Sequence, residues 1–488
     1  MYFACFLRTN SHFHLQNSKK TLYVGVTDFE AAFDRISRRN LFIKLVHLGI
    51  GIFLLQALIE MYKMTDAFIL LNGEYSHVIS VTAGVLQGSA SSTLLFMAYT
   101  LDIVALFREY FPIEELIHNF HILLHADDSL ILAMSKHSLI EKFQKLDEYC
   151  CTNNIKLQLS KCCFLAINSE DNESIVIGRG EIKCEKQFVY LGSTITSSGN
   201  IENDIKAEIC QKEIRFNTFF AFVSKNRNAP LKVKEKVLNS CVLSTILYNC
   251  ESWGNANLNI LEEKYRRALK YMLGVRKSTC NEFPYVELGK PTLTSIVLAR
   301  QLKFYRNCMV NKDLPLQRYI IRKALDSNCS FIMHYVELDS SYNCPEDITK
   351  QSLIAMQNSI QTKAAANHSR YKTYLEINPL LKRPVFNERY IPMHKLQKIN
   401  RIRMISHDLK VEKGRHHKNP VPIENRLCRC GEIENEKHFI MNCRYYSHIR
   451  TKYNELHCLT FDQQLDNILS PDFVSELIEC RKMYQSVN

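Results

Sequence analysis

Two apolar segments, Phe120–Leu124 and Leu130–Met134, flank His125-Ala-Asp127-Asp128-Ser, a stretch that leaves room only for a tight turn between two strands. Two adjacent carboxylates at such a tip repel each other, and a divalent cation is the usual remedy. An Asp-Asp turn alone is common on ordinary protein surfaces. Its meaning here comes from the blocks around it. Upstream, Val24-Gly-Val-Thr-Asp28-Phe-Glu-Ala-Ala-Phe33-Asp34 reads as an apolar strand ending at a carboxylate and followed by a turn. Between the two lies Gly84-Val-Leu-Gln87-Gly88-Ser89, which leads into an apolar helix. Downstream come Asn154-Ile-Lys-Leu-Gln-Leu-Ser-Lys161 and Phe188-Val-Tyr-Leu191-Gly192.

The surrounding pattern predicts an α+β fold. Leu22 to Val26 is a strand, and Leu41, Leu45, Leu48 and Ile52 to Met61 carry helical spacing. Ala67 to Val81 reads as a hairpin around Asn72-Gly73, and Ser91 to Phe107 as helix. Leu139, Ile140, Phe143, Leu146, Tyr149 and Cys150 trace one face of an amphipathic helix. From about residue 200 the pattern turns mostly helical, with Val233, Val237, Cys241 and Val242 forming one stripe and Leu261, Tyr265 and Leu269 another. Residues 310–380 read as mixed helix and loop.

The chain has 488 residues, enough for two to four domains, and a net charge of +12. Such an excess of basic groups points to polyanionic partners. Of that charge, +8 falls within residues 382–418, which hold eleven Lys and Arg against three Asp and Glu. Phe386, Tyr390 and four histidines are interleaved there, as suits stacking on bases or flanking phosphates; a solvated basic helix face is the alternative. Eighteen cysteines scattered along the chain, including Cys150–Cys151 and Cys162–Cys163, read as reduced thiols rather than a disulfide framework. No signal peptide is legible in residues 1–10, and the most apolar window, residues 93–107, is interrupted by Asp102. The expectation is a soluble intracellular protein of the nucleus, the cytoplasm or both, with no membrane partner.

Taken in order, the blocks resemble the palm motifs of reverse transcriptases, most closely those of non-LTR (LINE-type) retrotransposons. The resemblance covers residues 21 to 300 and again 380 to 450. Asp28 matches the first catalytic aspartate within a stretch similar to D-F-x-K-A-F-D, and Asp127 and Asp128 match the (Y/F)-A-D-D box. Gln87 and Gly88 match the R-Q-G block, Lys161 sits in the lysine-bearing motif, and Leu191-Gly192 falls in the Y-L-G primer-grip element. His125 replaces the usual aromatic, Leu86 an Arg, Ser89 a Cys, Thr93 a Pro and Glu30 a Lys.

The resemblance implies an RNA-directed DNA polymerase that takes dNTPs, an RNA template and a DNA primer or target. Nucleotidyl transfer is catalysed mainly by alignment and charge neutralisation, so carboxylates holding two Mg²⁺ ions suffice. Asp28, Asp127 and Asp128 are then the metal ligands, with the Phe29 carbonyl as a further one. Phe33 would lie beneath the incoming sugar and Gln87-Gly88 close to nucleotide or template. Lys161 would counter the triphosphate. Tyr248-Asn-Cys-Glu251-Ser-Trp253 is similar to the Y-G-x-E-x-W of the family's thumb, with Trp253 as packing. Lys225, Arg227, Lys232, Lys234 and Lys236 are candidates for phosphate contacts.

Cys428, Cys430, His438 and Cys443 form C-x-C-x7-H-x4-C, a donor set for tetrahedral Zn²⁺; buried metal-free thiols are the alternative. The run Glu434 to Cys443 resembles the C-terminal zinc-knuckle-like segment of the same family. The expected organisation is a remnant of fingers or linker (1–20), palm (21–200), helical thumb (201–300), connecting region (301–380), basic segment with the Cys/His motif (381–455) and tail (456–488). With about 20 residues ahead of the first block, the expectation is an N-terminally truncated element. A catalytically inactive nucleic-acid-binding relic is the alternative function.

Overall fold

The computed structural model describes residues 20–486, apart from 64, 115, 116, 119, 179, 312–314, 327–329 and 417–419. The segment expected to be a fingers remnant lies almost wholly outside the described residues. The chain divides into two compact units, Tyr2–Asp204 and Ile205–Asn488.

The first unit is built on a six-stranded sheet. Its strands are β1 (Leu22–Thr27), β2 (Ile122–His125), β3 (Asp128–Ala133), β4 (Cys163–Ile167), β5 (Ile175–Ile177) and β6 (Gly180–Cys184). They lie in the order β2-β3-β1-β4-β6-β5, antiparallel throughout except for the β4–β6 pair. Strand β1 is central, and its apolar sequence LYVGVT is buried on both faces, as a strand between two neighbours and beneath a helix requires. That helix, α1 (Lys136–Thr152), starts at Ser135, whose hydroxyl accepts from the Ser138 amide at 3.1 Å. It buries Leu139, Phe143, Leu146, Tyr149 and Cys150, the expected face. Gly25 explains how close it lies: a Cβ there would meet the Phe143 ring at 2.7 Å.

Two helices, Ser92–Thr100 and Asp102–Tyr110, add Phe96, Tyr99, Ile103 and Phe107 to the same core. The hairpin expected at 67–81 is present as two short ladders around an Asn72-Gly73 turn, and its strand residues are exposed. A further hairpin, β7 (Gln187–Tyr190) and β8 (Ser193–Thr196), closes through the two-residue turn Leu191-Gly192. The antiparallel-rich sheet backed by helices agrees with the expected α+β class.

The elements of the second unit are helices, with one isolated bridge, Leu427 to Ile433. No helix among the described residues is long and apolar enough to cross a membrane. Leu261, Tyr265 and Leu269 are buried along Asn259–Leu273, as their spacing predicts. The stripe Val233, Val237, Cys241 and Val242 is a correction. Helix Leu231–Val237 buries Leu231, Lys234 and Glu235 and leads into a π-helix over Leu238–Leu243; Val233 and Cys241 are exposed, whereas Val242 is buried. The wider π turn shifts the buried face only from residue 238 onward. Polar partners make the burial of Lys234 and Glu235 tolerable. Lys234 donates to the Arg227 carbonyl at 2.8 Å, and Glu235 pairs with Arg383 at 3.1 Å.

One buried charge pair ties this unit together. Glu287, at 0% side-chain exposure, meets Arg403, at 1%, at 2.9 Å. Tyr374 donates to the same carboxylate at 2.9 Å and Asn378 at 3.2 Å, while Arg403 also donates to the Leu465 carbonyl. Four separated chain segments thus share one satisfied network. Removing one member leaves the other charge buried, so Glu287→Ala is expected to destabilise the unit by about 3–5 kcal/mol in urea unfolding. The Glu287→Leu, Arg403→Met pair should recover most of that loss; a double variant no better than Glu287→Ala would refute the network's role.

Candidate active site

The site is set by strand register. Strands β1 and β3 pair Thr27 with Ser129, and the next step of that register brings Asp28 opposite Asp128. Strands β2 and β3 pair His125 with Asp128, so the connecting loop is only Ala126 and Asp127, with Ala126 at φ 52°. A non-glycine residue held left-handed in a two-residue turn is strained, and here it presents Asp127 at the strand ends. Thr27 and Ser129, both fully buried, hydrogen-bond side chain to side chain directly behind the carboxylates.

Electrostatics show that the aspartates sense each other. Burial, then Asp127 and also Asp28, push the Asp128 carboxyl above its usual range, with His125 opposing. Tyr190, at the start of the Leu191-Gly192 turn, has its phenol pushed up by burial and by Asp128, which puts this hairpin beside the site. The three carboxylates do not close into one tight set. Among the described residues, the group of metal-ligand side chains whose donor atoms all lie within 4.8 Å is Cys428, Cys430, His438 and Cys443. Like charges at adjoining strand ends favour such splaying.

Lys161 stands 3.1 Å from Asp28 Oδ2 and is itself well exposed. That oxygen is buried and makes no hydrogen bond, so the contact is an ion pair without hydrogen-bond geometry. A short bridge brings the lysine there. Phe29 faces Leu157, with Gln158 donating to the Asp28 carbonyl and the Glu30 amide donating to the Lys156 carbonyl, both at 2.8 Å. These bonds flank Phe29 and leave its carbonyl outside the bridge. The Phe29 ring is core, 6.1 Å from Phe96, so only its backbone is available to a ligand. Phe33 is half-buried, its ring 5.2 Å from Phe96.

The Gln87-Gly88 block is anchored to the turn after Asp28. Gln87 Nε2 donates to both oxygens of Asp34 at 3.0 Å. The Val85 amide donates to the Phe33 carbonyl and that of Gly84 to Ile36, each at 2.8 Å. Gly84 has φ +80° and a Cβ would meet the Asp34 carbonyl oxygen at 2.7 Å, so no side chain fits. Arg38 clamps the same region, donating to the carbonyls of Gly84, Tyr62 and Val81. Sequence reasoning did not single out Asp34, Arg38 or Tyr190. Asp34 sits in the quoted stretch, while Arg38 carries no local signal because its acceptors are distant backbone carbonyls.

The cysteine–histidine set does assemble. Cys428 Sγ and Cys443 Sγ are 3.7 Å apart, and Cys430 Sγ lies 3.2 Å from His438 Nε2. A tetrahedral ion with Zn–S bonds of ~2.3 Å places sulfurs roughly 3.8 Å apart, which this pair meets. The Gly431 amide donates to the Cys428 carbonyl at 3.0 Å, and the Cys428 amide to Glu432 at 2.7 Å, forming the knuckle. Five residues of π-helix, His438–Asn442, set the offset from His438 to Cys443. Burial and Cys428 push the Cys443 thiol up to about 12, and burial lowers His438.

The basic segment is divided: Lys382, Arg389, Arg401, Lys410 and Lys413 are exposed, whereas other cations are spent on internal pairs. Arg383, Lys395, Lys398, Arg403 and Arg415 are in ion pairs within this unit, with Glu235, Asp472, Glu479, Glu287 and Glu412. Phe386 is fully buried, and buried His407 meets Glu436 at 2.8 Å. These groups are therefore unavailable for stacking on bases, while Tyr390 is exposed. Lys234 is likewise removed from the phosphate-contact candidates by its burial, which lowers its ammonium to about 8. Trp253 is buried as expected, its indole donating to Glu208 at 3.2 Å.

Among curated proteins none matches the chain. Among solved structures, telomerase from Candida tropicalis is similar over 67% of this chain and 53% of its own, with 13% identity and a TM-score of 0.34. Telomerase from Candida albicans, in complex with the TWJ fragment of telomeric RNA, gives 69% and 54%, 11% identity and 0.35. The chain thus spans about half the length of these structures. Residues 4–195 match the family described as reverse transcriptase (RNA-dependent DNA polymerase). That range contains the Asp28 and Asp127-Asp128 strand ends, the Gln87-Gly88 block and the Lys161 loop. The chain therefore carries a reverse transcriptase (RNA-dependent DNA polymerase) domain at residues 4–195.

Proposed function

We propose that the chain acts as the reverse transcriptase of a non-LTR (LINE-type) retrotransposon, extending a DNA primer from dNTPs on an RNA template. The observation that carries this reading is the β1–β3 register, which sets Asp28 opposite Asp128 with Asp127 in the adjoining turn, inside the matched domain. The donors suit Mg²⁺. They are oxygen only, one of them buried without a hydrogen bond, and burial together with the neighbouring carboxylates raises Asp128. Two such ions, when bound, would activate the primer 3′-oxygen and neutralise charge on the leaving pyrophosphate.

The chain's own residues do the rest. Asp28 and Asp127 hold the ions, with Asp128 in support and the Phe29 carbonyl as a further ligand. Phe33, braced by Phe96, limits the space beneath the sugar, and Gln87, held by Asp34, positions the backbone of Gly88 at the substrate. Lys161 exchanges its contact with Asp28 for the triphosphate. The helical unit serves as thumb and connecting region, and Cys428, Cys430, His438 and Cys443 hold a structural Zn²⁺. Such an enzyme works where its RNA and target DNA meet, in the nucleus or cytoplasm.

Asp127→Ala should reduce primer extension on an RNA template at least 1,000-fold with unchanged unfolding, in line with loss of electrostatic stabilisation worth ~4 kcal/mol. Wild-type activity in that variant would end the assignment. Asp128 supplies a pH test. Because its folded pKa is raised, its contribution to stability is complete below the unfolded pKa and is lost as pH rises through the folded value. Metal-free Asp128→Asn is therefore expected to melt above wild type at pH 7 and to converge with it below the carboxylate range. Adding Mg²⁺ should raise the wild-type Tm and narrow the gap, since a ligand bound to the folded state stabilises it. A Tm indifferent to both pH and Mg²⁺ would refute the coupling. For the Cys/His set, one equivalent of zinc should co-purify and disappear in Cys443→Ser; metal-free wild-type protein would remove the zinc reading.

A further inference from the structure

A cleft of about 290 Å³ opens in the helical unit, away from any motif of the sequence. Its apolar wall is Phe220, Tyr271 and Val275, and its rim carries Arg266, Arg267 and Lys277. Tyr271 is exposed, and Phe220 packs against it edge-on with ring centroids 5.7 Å apart, which fixes the tyrosine ring. Arg267 in turn lies over the Phe220 ring at 4.8 Å.

The electrostatics of this cleft are unbalanced. Lys270 lines it from beneath and is buried, 7% exposed. Its ammonium donates to the carbonyls of Lys277 at 2.9 Å and Thr279 at 2.5 Å, and to Asn281 Oδ1 at 2.9 Å. These acceptors satisfy its hydrogen bonds but are neutral, so the charge remains. Buried charges are ordinarily paired, and this one meets no carboxylate within ion-pair distance among the described residues. Arg266, Arg267 and Lys277 also form no ion pair among the described residues. Glu263 is the acid in the lining, against four cations.

A concave site combining a presented aromatic ring with uncompensated cations suits a ligand that is both planar and anionic. We propose that this cleft binds one unstacked nucleotide of a single-stranded nucleic acid, its base on Tyr271 and its phosphate at Arg266 and Lys277. Stacking on aromatics with backbone charge neutralisation is the general mode of single-strand binding, and it requires no base sequence. The volume, at the small end of ligand pockets, fits one nucleotide and excludes a duplex. The proposal is independent of the polymerase reading, because it concerns the helical unit and no catalytic group.

The test uses the full chain without dNTPs and a short 5′-phosphorylated oligonucleotide carrying 4-thiouridine, for crosslinking and for equilibrium binding. The crosslink is expected on the peptide containing Tyr271. Tyr271→Leu should weaken binding about tenfold, whereas Tyr271→Phe, which keeps the ring, should bind as wild type. Arg266→Gln with Lys277→Gln should lower the slope of log K against log salt by about one. Thermal unfolding of each exposed-site variant checks that it is folded. A DNA oligonucleotide of the same sequence distinguishes the two sources of strand, either of which supports the site. Crosslinks confined to other peptides, an unaffected Tyr271→Leu, or equal competition by an RNA–DNA duplex or inorganic phosphate would each overturn it.

Discussion

The geometry of the first unit depends on the pairing of strand Leu22–Thr27 with its two antiparallel neighbours. On one side the register carries Asp28 to Asp128, and on the other it leads, through the Phe29–Leu157 bridge, to Lys161. A shift of one residue would invert every side chain on the strand, moving its buried apolar residues to the opposite face. Register is therefore enforced by the core, and the site inherits that precision. Gly25 belongs to the same constraint, because the approach of Phe143 to its backbone locks the covering helix over the strand.

The short turns follow from that frame. Ala126-Asp127 and Leu191-Gly192 are both two-residue loops containing a non-glycine residue at positive φ, 52° and 45°. Flanking strands hold such turns in place. The first presents a carboxylate, and the second begins at Tyr190, whose phenol senses Asp128.

In the helical unit the governing fact is the use of charge as internal cement. Four of the eleven cations of the segment 382–418 are consumed by partners distant in sequence, Glu235, Glu287, Asp472 and Glu479. A run of basic residues is thus a poor guide to a nucleic-acid surface when each side chain can reach a carboxylate from another helix. The cleft beside Tyr271 shows the converse. There four cations fall within residues 266–277 and line the cleft without an ion pair among the described residues.

The sequence alone determined whatever depends on neighbours along the chain. The strand–turn–strand around Asp127 and Asp128, the strand ending at Asp28 and the helix over residues 136–152 were all legible, because periodicity and turn chemistry act over a few residues. The Cys428–Cys443 set was legible for the same reason, its donors lying within one short knuckle. Tertiary structure alone decided which charges are spent and which are available. It buried Arg403 and His407 against carboxylates and placed Lys161 on Asp28. It also brought Asp34, Arg38 and Tyr190 to the site. Each of these outcomes turns on a partner many residues away, and the free energy of a charge is set by the distance and burial of that partner, which no local pattern encodes.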